Sequence, residues 1–139
     1  MTTYWTRIYE RQPESAGAIR AMIVNLLAPS MTGDDLDDLL QGVGEAVANA
    51  IQHGAGLMQV HVELTDHQVT VRVRDSGMGF DLKRLKTTAD CPMPSAETGR
   101  GLYIMRQVSD SMAAYTGHGC LVSITKSFNG GSIRPRPAL

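Results

Sequence analysis

Apolar positions along this chain change their period several times, and each change predicts an element boundary. Residues Tyr4 to Tyr9 are aromatic and β-branched with partial alternation, which predicts a first strand. Pro13, Glu14 and Ser15 then suit a helix entry. Ile19, Met22, Ile23, Leu26 and Leu27 recur at i, i+3, i+4, i+7 and i+8, an amphipathic helix that Pro29 ends. Thr32 to Asp35 supply caps and first-turn acids for a second helix. Its apolar stripe is Leu36, Leu39, Leu40, Val43, Val47, Ala50 and Ile51, with Glu45, Asn49 and Gln52 in the other sector. His53-Gly54 reads as its end, since Gly is favoured just past a helix.

A period of two follows. Met58, Val60, Val62 and Leu64 alternate with polar residues, Asp66-His67 supplies a turn, and Val69, Val71 and Val73 alternate again. Asp75-Ser76-Gly77-Met78-Gly79 breaks the pattern. Asp81 to Thr98 has poor periodicity and two prolines, Pro92 and Pro94, and reads as a long loop of the kind that carries function. Gly99 and Gly101 close it, and Leu102, Ile104, Met105 and Val108 predict a third helix. Met112 to Thr116 and Cys120 to Ser127 predict a hairpin turned at Gly117-His118-Gly119. Asn129 to Leu139, with Gly-Gly and two Arg-Pro steps, reads as a flexible tail. The expected organisation is one module over residues 1–128 and a tail over 129–139.

Composition narrows the function classes. The 139 residues carry 13 Lys plus Arg against 14 Asp plus Glu, a net charge of −1, which argues against gripping nucleic acid by bulk charge. The only cysteines, Cys91 and Cys120, form no CxxC pair, so neither a zinc ribbon nor a disulfide framework is expected. The polar start MTTYWTRIYERQPE is not a secretory signal, and no apolar run reaches membrane-spanning length. No membrane association is expected, and the cytoplasm is the expected compartment.

Three short motifs carry chemistry. Glu45 and Asn49 lie four apart, on one helix face. A carboxylate beside an amide oxygen suits Mg²⁺-assisted proton transfer, although such a pair taken alone is more often a solvated helix face. Asp75, at a strand end, can accept a hydrogen bond from an amino group, while Gly77 and Gly79 let a flat ligand approach the backbone; a plain strand-ending turn is the equal alternative. Thr98-Gly99-Arg100-Gly101-Leu102 opens a helix, where backbone N–H groups and an Arg fork suit phosphate; a helix entry with a surface Arg is the plain alternative. No GxxxxGK[ST] occurs, so this is not a P-loop.

The order of these motifs resembles the ATP-binding module shared by gyrase, heat-shock chaperones, histidine kinases and mismatch-repair ATPases, the Bergerat fold. The closer resemblance is to small stand-alone bacterial serine kinases that act as anti-sigma factors. Those carry N-A-x-x-H-G, and Asn49-Ala50-Ile51-Gln52-His53-Gly54 matches. The resemblance covers Tyr4 to about Phe128 and implies an α+β two-layer sandwich, with a mixed, mainly antiparallel sheet covered on one face by helices. It implies ATP and Mg²⁺, with Asn49 on the metal, Glu45 as general base and Asp75 as adenine anchor. Gly77 and Gly79 would shape the base site and lid entry. Thr98, Gly99, Arg100, Gly101 and Leu102 would hold phosphate, with Arg100 also catalytic. His53 joins the nucleotide site, with a helix cap as its alternative. The implied partners are a small STAS-type anti-sigma antagonist, phosphorylated on serine or threonine, and a sigma factor; family members are often homodimers.

Two other readings compete with the kinase. One is an ATP-gated binding regulator without phosphotransfer, against which Glu45 argues, since binding needs no base. The other is an ATP-binding module acting in trans with a separate histidine phosphoacceptor. No phosphoacceptor helix is expected before the module and no transducer domain after it, which favours the kinase. The run Asp34, Asp35, Asp37 and Asp38 suits a basic partner or a solvated first turn equally. Cys91-Pro92-Met93-Pro94 has no assignable role.

Overall fold

A computed structural model describes residues 2–31, 33–76, 111–115 and 120–128. The elements are β1 (Thr3–Tyr9), α1 (Pro13–Leu27), α2 (Gly33–His53), β2 (Met58–Leu64), β3 (Gln68–Asp75), β4 (Ser111–Tyr115) and β5 (Cys120–Ser127). They match the predicted strands and helices to within a residue or two. The third helix, the 117–119 turn, the 81–98 loop and the 129–139 tail lie outside the described residues.

The strands form one sheet in the order β1-β2-β3-β5-β4. All pairings among the described residues are antiparallel. β5 lies between β3 and β4, so those two run parallel without touching. Side chains alternate across the sheet. Met58, Val60 and Val62 of β2, Val69, Val71 and Val73 of β3, and Val122 and Ile124 of β5 are buried. Ile19, Ile23 and Leu27 of α1 and Leu39, Val43 and Val47 of α2 complete the same core. The result is the expected α+β two-layer sandwich.

Local chemistry sets the boundaries. Pro13 occupies the first turn of α1, where its missing N–H is not needed. Ser15 donates its hydroxyl to the Glu10 carbonyl at 2.7 Å, joining the helix to the end of β1. Between β2 and β3 the Thr65 hydroxyl oxygen accepts from the N–H groups of His67 and Gln68, at 3.2 and 3.0 Å. That local turn fixes the register of the hairpin.

α2 departs from its sequence pattern. Gly42, Ala46 and Asn49 are buried along with the large apolar residues. The helix wheel places Asn49 in the polar sector, yet it is only 6% exposed. The small side chains of Gly42 and Ala46 let the helix bury a second stripe, and Asn49 continues that stripe. The acidic first turn is also partly internal. Lys126 of β5 is 8% exposed and reaches Asp38 at 3.4 Å and Asp35 at 4.0 Å. Two of the four clustered acids therefore pair within the chain, and Asp34 and Asp37 remain exposed.

The other end of α2 is held by backbone. Arg11 donates from Nη1 to the Ile51 carbonyl at 2.8 Å and from Nε to the Gly56 carbonyl at 3.0 Å. A guanidinium at the negative end of a helix satisfies carbonyls that have no partner within the helix. Gly54 then brings the chain hard against β3. A Cβ there would strike the Ala50 carbonyl oxygen and lie 2.6 Å from Asp75 Cγ. Beyond it, Ser76 donates its N–H to the Ala55 carbonyl at 2.9 Å.

Arg11→Ala should destabilise the fold by about 1 kcal/mol, because it removes the donor to the part-buried Ile51 carbonyl at the helix end and to the Gly56 carbonyl beyond it. Urea denaturation checks this, and an unchanged midpoint contradicts it. Gly54→Ala should cost about 1–3 kcal/mol by overpacking the α2–β3 junction. The same titration, compared with Gly17→Ala on the open face of α1 where a Cβ meets nothing within 4 Å, separates crowding from helix propensity.

Candidate functional site

The sheet and the C-terminal half of α2 border a small, open cleft. Ala46, Asn49, Ala50, His53 and Gly54 line it from the helix side, and Val73, Asp75, Cys120 and Val122 from the sheet. The arrangement follows from the two periodicities. Ala46, Asn49, Ala50 and His53 recur at helical spacing, whereas Val73 and Asp75 lie two apart on β3 and face the same way. Asp75 sits at the point where the strand ends and the sheet opens.

Asp75 is 6% exposed, and its Oδ1 faces the Ala55 N–H at 3.4 Å. Asn49 is equally buried, and its amide nitrogen has no hydrogen-bond partner among the described residues. Leaving such a group unsatisfied costs about 1–3 kcal/mol. Gly54 keeps this part of the cleft from filling with side chain. The site thus has apolar walls with one carboxylate, one carboxamide and the His53 imidazole, which is the make-up of a small-molecule site.

The structure brings Asn49, His53 and Asp75 of the expected site together. Glu45 lies one turn before Asn49, half-buried, and is not part of the cleft lining. Gly77, Gly79, Thr98, Gly99, Arg100, Gly101 and Leu102 lie outside the described residues. Among the described residues no group of three or more His, Cys, Asp or Glu side chains could hold a metal ion. Sequence reasoning missed Ala46, Ala50, Gly54, Val73, Cys120 and Val122 as cleft residues, although Ala50 and Gly54 lie within the Asn49–Gly54 motif. The β5 pair could have been found only by knowing that β5 lies beside β3.

Comparison with known proteins gives the family. The sequence model of the family described as histidine kinase-like ATPase domain matches residues 9–126. Serine-protein kinase RsbW of Bacillus velezensis is 30% identical over 131 residues, covering 86% of this chain and 82% of the relative. The anti-sigma F factor of Clostridium beijerinckii is 31% identical over 121 residues, covering 81% of this chain and 82% of the relative. The crystal structure of the RsbU and RsbW domains of Rv1364c from Mycobacterium tuberculosis aligns over 90% of this chain with a TM-score of 0.63 and 17% identity. This chain spans 32% of that longer one, and the likeness speaks for the fold alone. With a sandwich of this topology, a cleft at the end of β3 and a family match over most of its length, the chain belongs to the histidine kinase-like ATPase domain family.

Proposed function

We propose that this chain is an ATP-dependent serine/threonine protein kinase of a bacterial partner-switching system, acting as an anti-sigma factor. Its acceptor would be a hydroxyl on a small STAS-type antagonist protein, and its second partner a sigma factor. It would work in the cytoplasm, as a homodimer. No helix among the described residues is long and apolar enough to cross a membrane. The observation that carries the reading is the convergence of Asp75, Asn49 and Gly54 on one cleft. The relatives' names, serine-protein kinase and anti-sigma F factor, point the same way.

The residues divide the work. Asp75 accepts a hydrogen bond from the amino group of the base, and Gly54 leaves the room for it. Gly77 and Gly79 would let the base lie near the backbone. The Asn49 carboxamide offers an oxygen to a cation and N–H donors to phosphate. Magnesium, held by that oxygen with phosphate and water, would supply charge neutralisation on the transferring group. A single protein ligand suits magnesium, which keeps most of its shell on phosphate and water. Thr98, Gly99, Arg100, Gly101 and Leu102 would bind the phosphates, with the Arg100 fork on the transferring oxygens. Glu45 takes the proton of the acceptor hydroxyl as its oxygen bonds to phosphorus, and ADP departs. Its place outside the cleft lining, on the face next to Asn49, suits a base that meets a second protein and not the nucleotide. His53, in the last turn of α2, borders the site.

Asp75→Asn turns an acceptor into a donor opposite the amino group of the base. It should weaken ATP binding by about 1–3 kcal/mol, or roughly 5- to 150-fold, by calorimetry. Unchanged affinity contradicts the adenine assignment. Glu45→Ala should lower phosphotransfer to a cognate antagonist by about 10²–10⁴-fold, the usual worth of a general base, with ATP affinity retained. Acid-stable phosphate on the antagonist is the readout; ATP binding without phosphoserine or phosphothreonine overturns the kinase reading.

A further inference from the structure

The cleft contains one chemically distinctive group that the nucleotide motifs leave unused. Cys120 opens β5 directly opposite Asp75 on β3, and both line the cleft beneath α2. It is 5% exposed and forms no disulfide. Paired residues on neighbouring strands stand about 5 Å apart, so the sulfur and the carboxylate belong to one row of the cleft floor. Val73 and Val122 continue that floor one row further in, also as a cross-strand pair. The Asn49 amide, more than nine-tenths buried and unpartnered among the described residues, overlooks the same space from α2. It is an independent sign that the space takes a polar ligand.

A flat base whose polar edge meets Asp75 has its adjoining face over the next residue in the row, and that residue is Cys120. A cysteine is small and packs as an apolar group, so it leaves the floor level. Any group added to its sulfur projects from the floor into the base position. We infer that Cys120 is a nucleotide-contact residue at the base end of the cleft, and that a purine nucleotide and a thiol-directed electrophile exclude each other there. This rests on the nucleotide reading of the cleft.

The reagent that tests it is methyl methanethiosulfonate. The Cys120 sulfur attacks the sulfenyl sulfur, and a protein S–SCH₃ bond forms. The S–SO₂ bond breaks, methanesulfinate leaves with the bonding pair, and the thiol proton goes to solvent. Dithiothreitol reverses the change: methanethiol leaves, the protein thiol returns, and the reagent closes to a cyclic disulfide.

The test is ADP calorimetry on the full chain carrying Cys91→Ser, before treatment, after treatment and after dithiothreitol, with peptide mass confirming the adduct. Treatment should weaken ADP binding by about tenfold or more, through loss of shape fit, and dithiothreitol should restore it. The melting temperature without nucleotide should change little, and saturating ADP should slow formation of the adduct. Should Cys91→Ser impair folding, the wild-type chain is used with the adduct located by peptide mass. A Cys120 adduct that binds ADP as before overturns the inference, as does a thiol that the reagent cannot modify in the folded, nucleotide-free protein. An untreated chain that ignores ADP overturns the nucleotide reading beneath it, so the two failures are distinguishable.

Discussion

The contact between the last turn of α2 and the end of β3 fixes everything else in this site. Gly54 lies so close to Asp75 that no side chain fits between them. Helix-end carbonyls and a buried carboxylate would repel each other there. Arg11 answers for the carbonyls by donating to Ile51 and Gly56, and the Ala55 N–H faces the carboxylate. The Ser76–Ala55 backbone hydrogen bond then ties the loop after the helix to the loop after the strand. Three separate parts of the chain meet at this seam, from the β1–α1 connection, the α2–β2 connection and the end of β3.

The rest of α2 is set by that seam and by a second anchor at its other end. Lys126 holds Asp38 in a largely buried ion pair. Such a pair contributes little net stability against an apolar replacement, but breaking it is costly, so it favours a single placement of the helix. Between the anchors, Gly42, Ala46 and Asn49 are buried on one side of the helix, and Asn49 lines the cleft. A helix held at both ends positions the side chains it presents to the cleft.

Much of this was legible in the sequence. The strands β2 and β3 alternate cleanly because one face of the sheet packs on helices and the other meets water, and α1 repeats at helical spacing for the same reason. Asp75 was identifiable because it follows Val69, Val71 and Val73 on the inward face. The burial of Asn49 was not legible, because a helix wheel sorts residues by polarity and cannot see that Gly42 and Ala46 widen the buried sector. Lys126 and Cys120 were hidden for a different reason. Their roles depend on β5 inserting beside β3, a long-range pairing that local pattern does not encode. The inward-facing Lys126 even breaks the alternation of its strand until its acidic partners on α2 are known.

An NMR titration of the isotopically labelled chain with ADP and magnesium shows whether Asn49, the Gly54 junction and Asp75 form one ligand site. The Asn49 side-chain amide and the backbone amides of Ala55 and Ser76 should then shift together along one saturable curve. Saturation without movement at these three groups, or shifts at them with unrelated affinities, would contradict it.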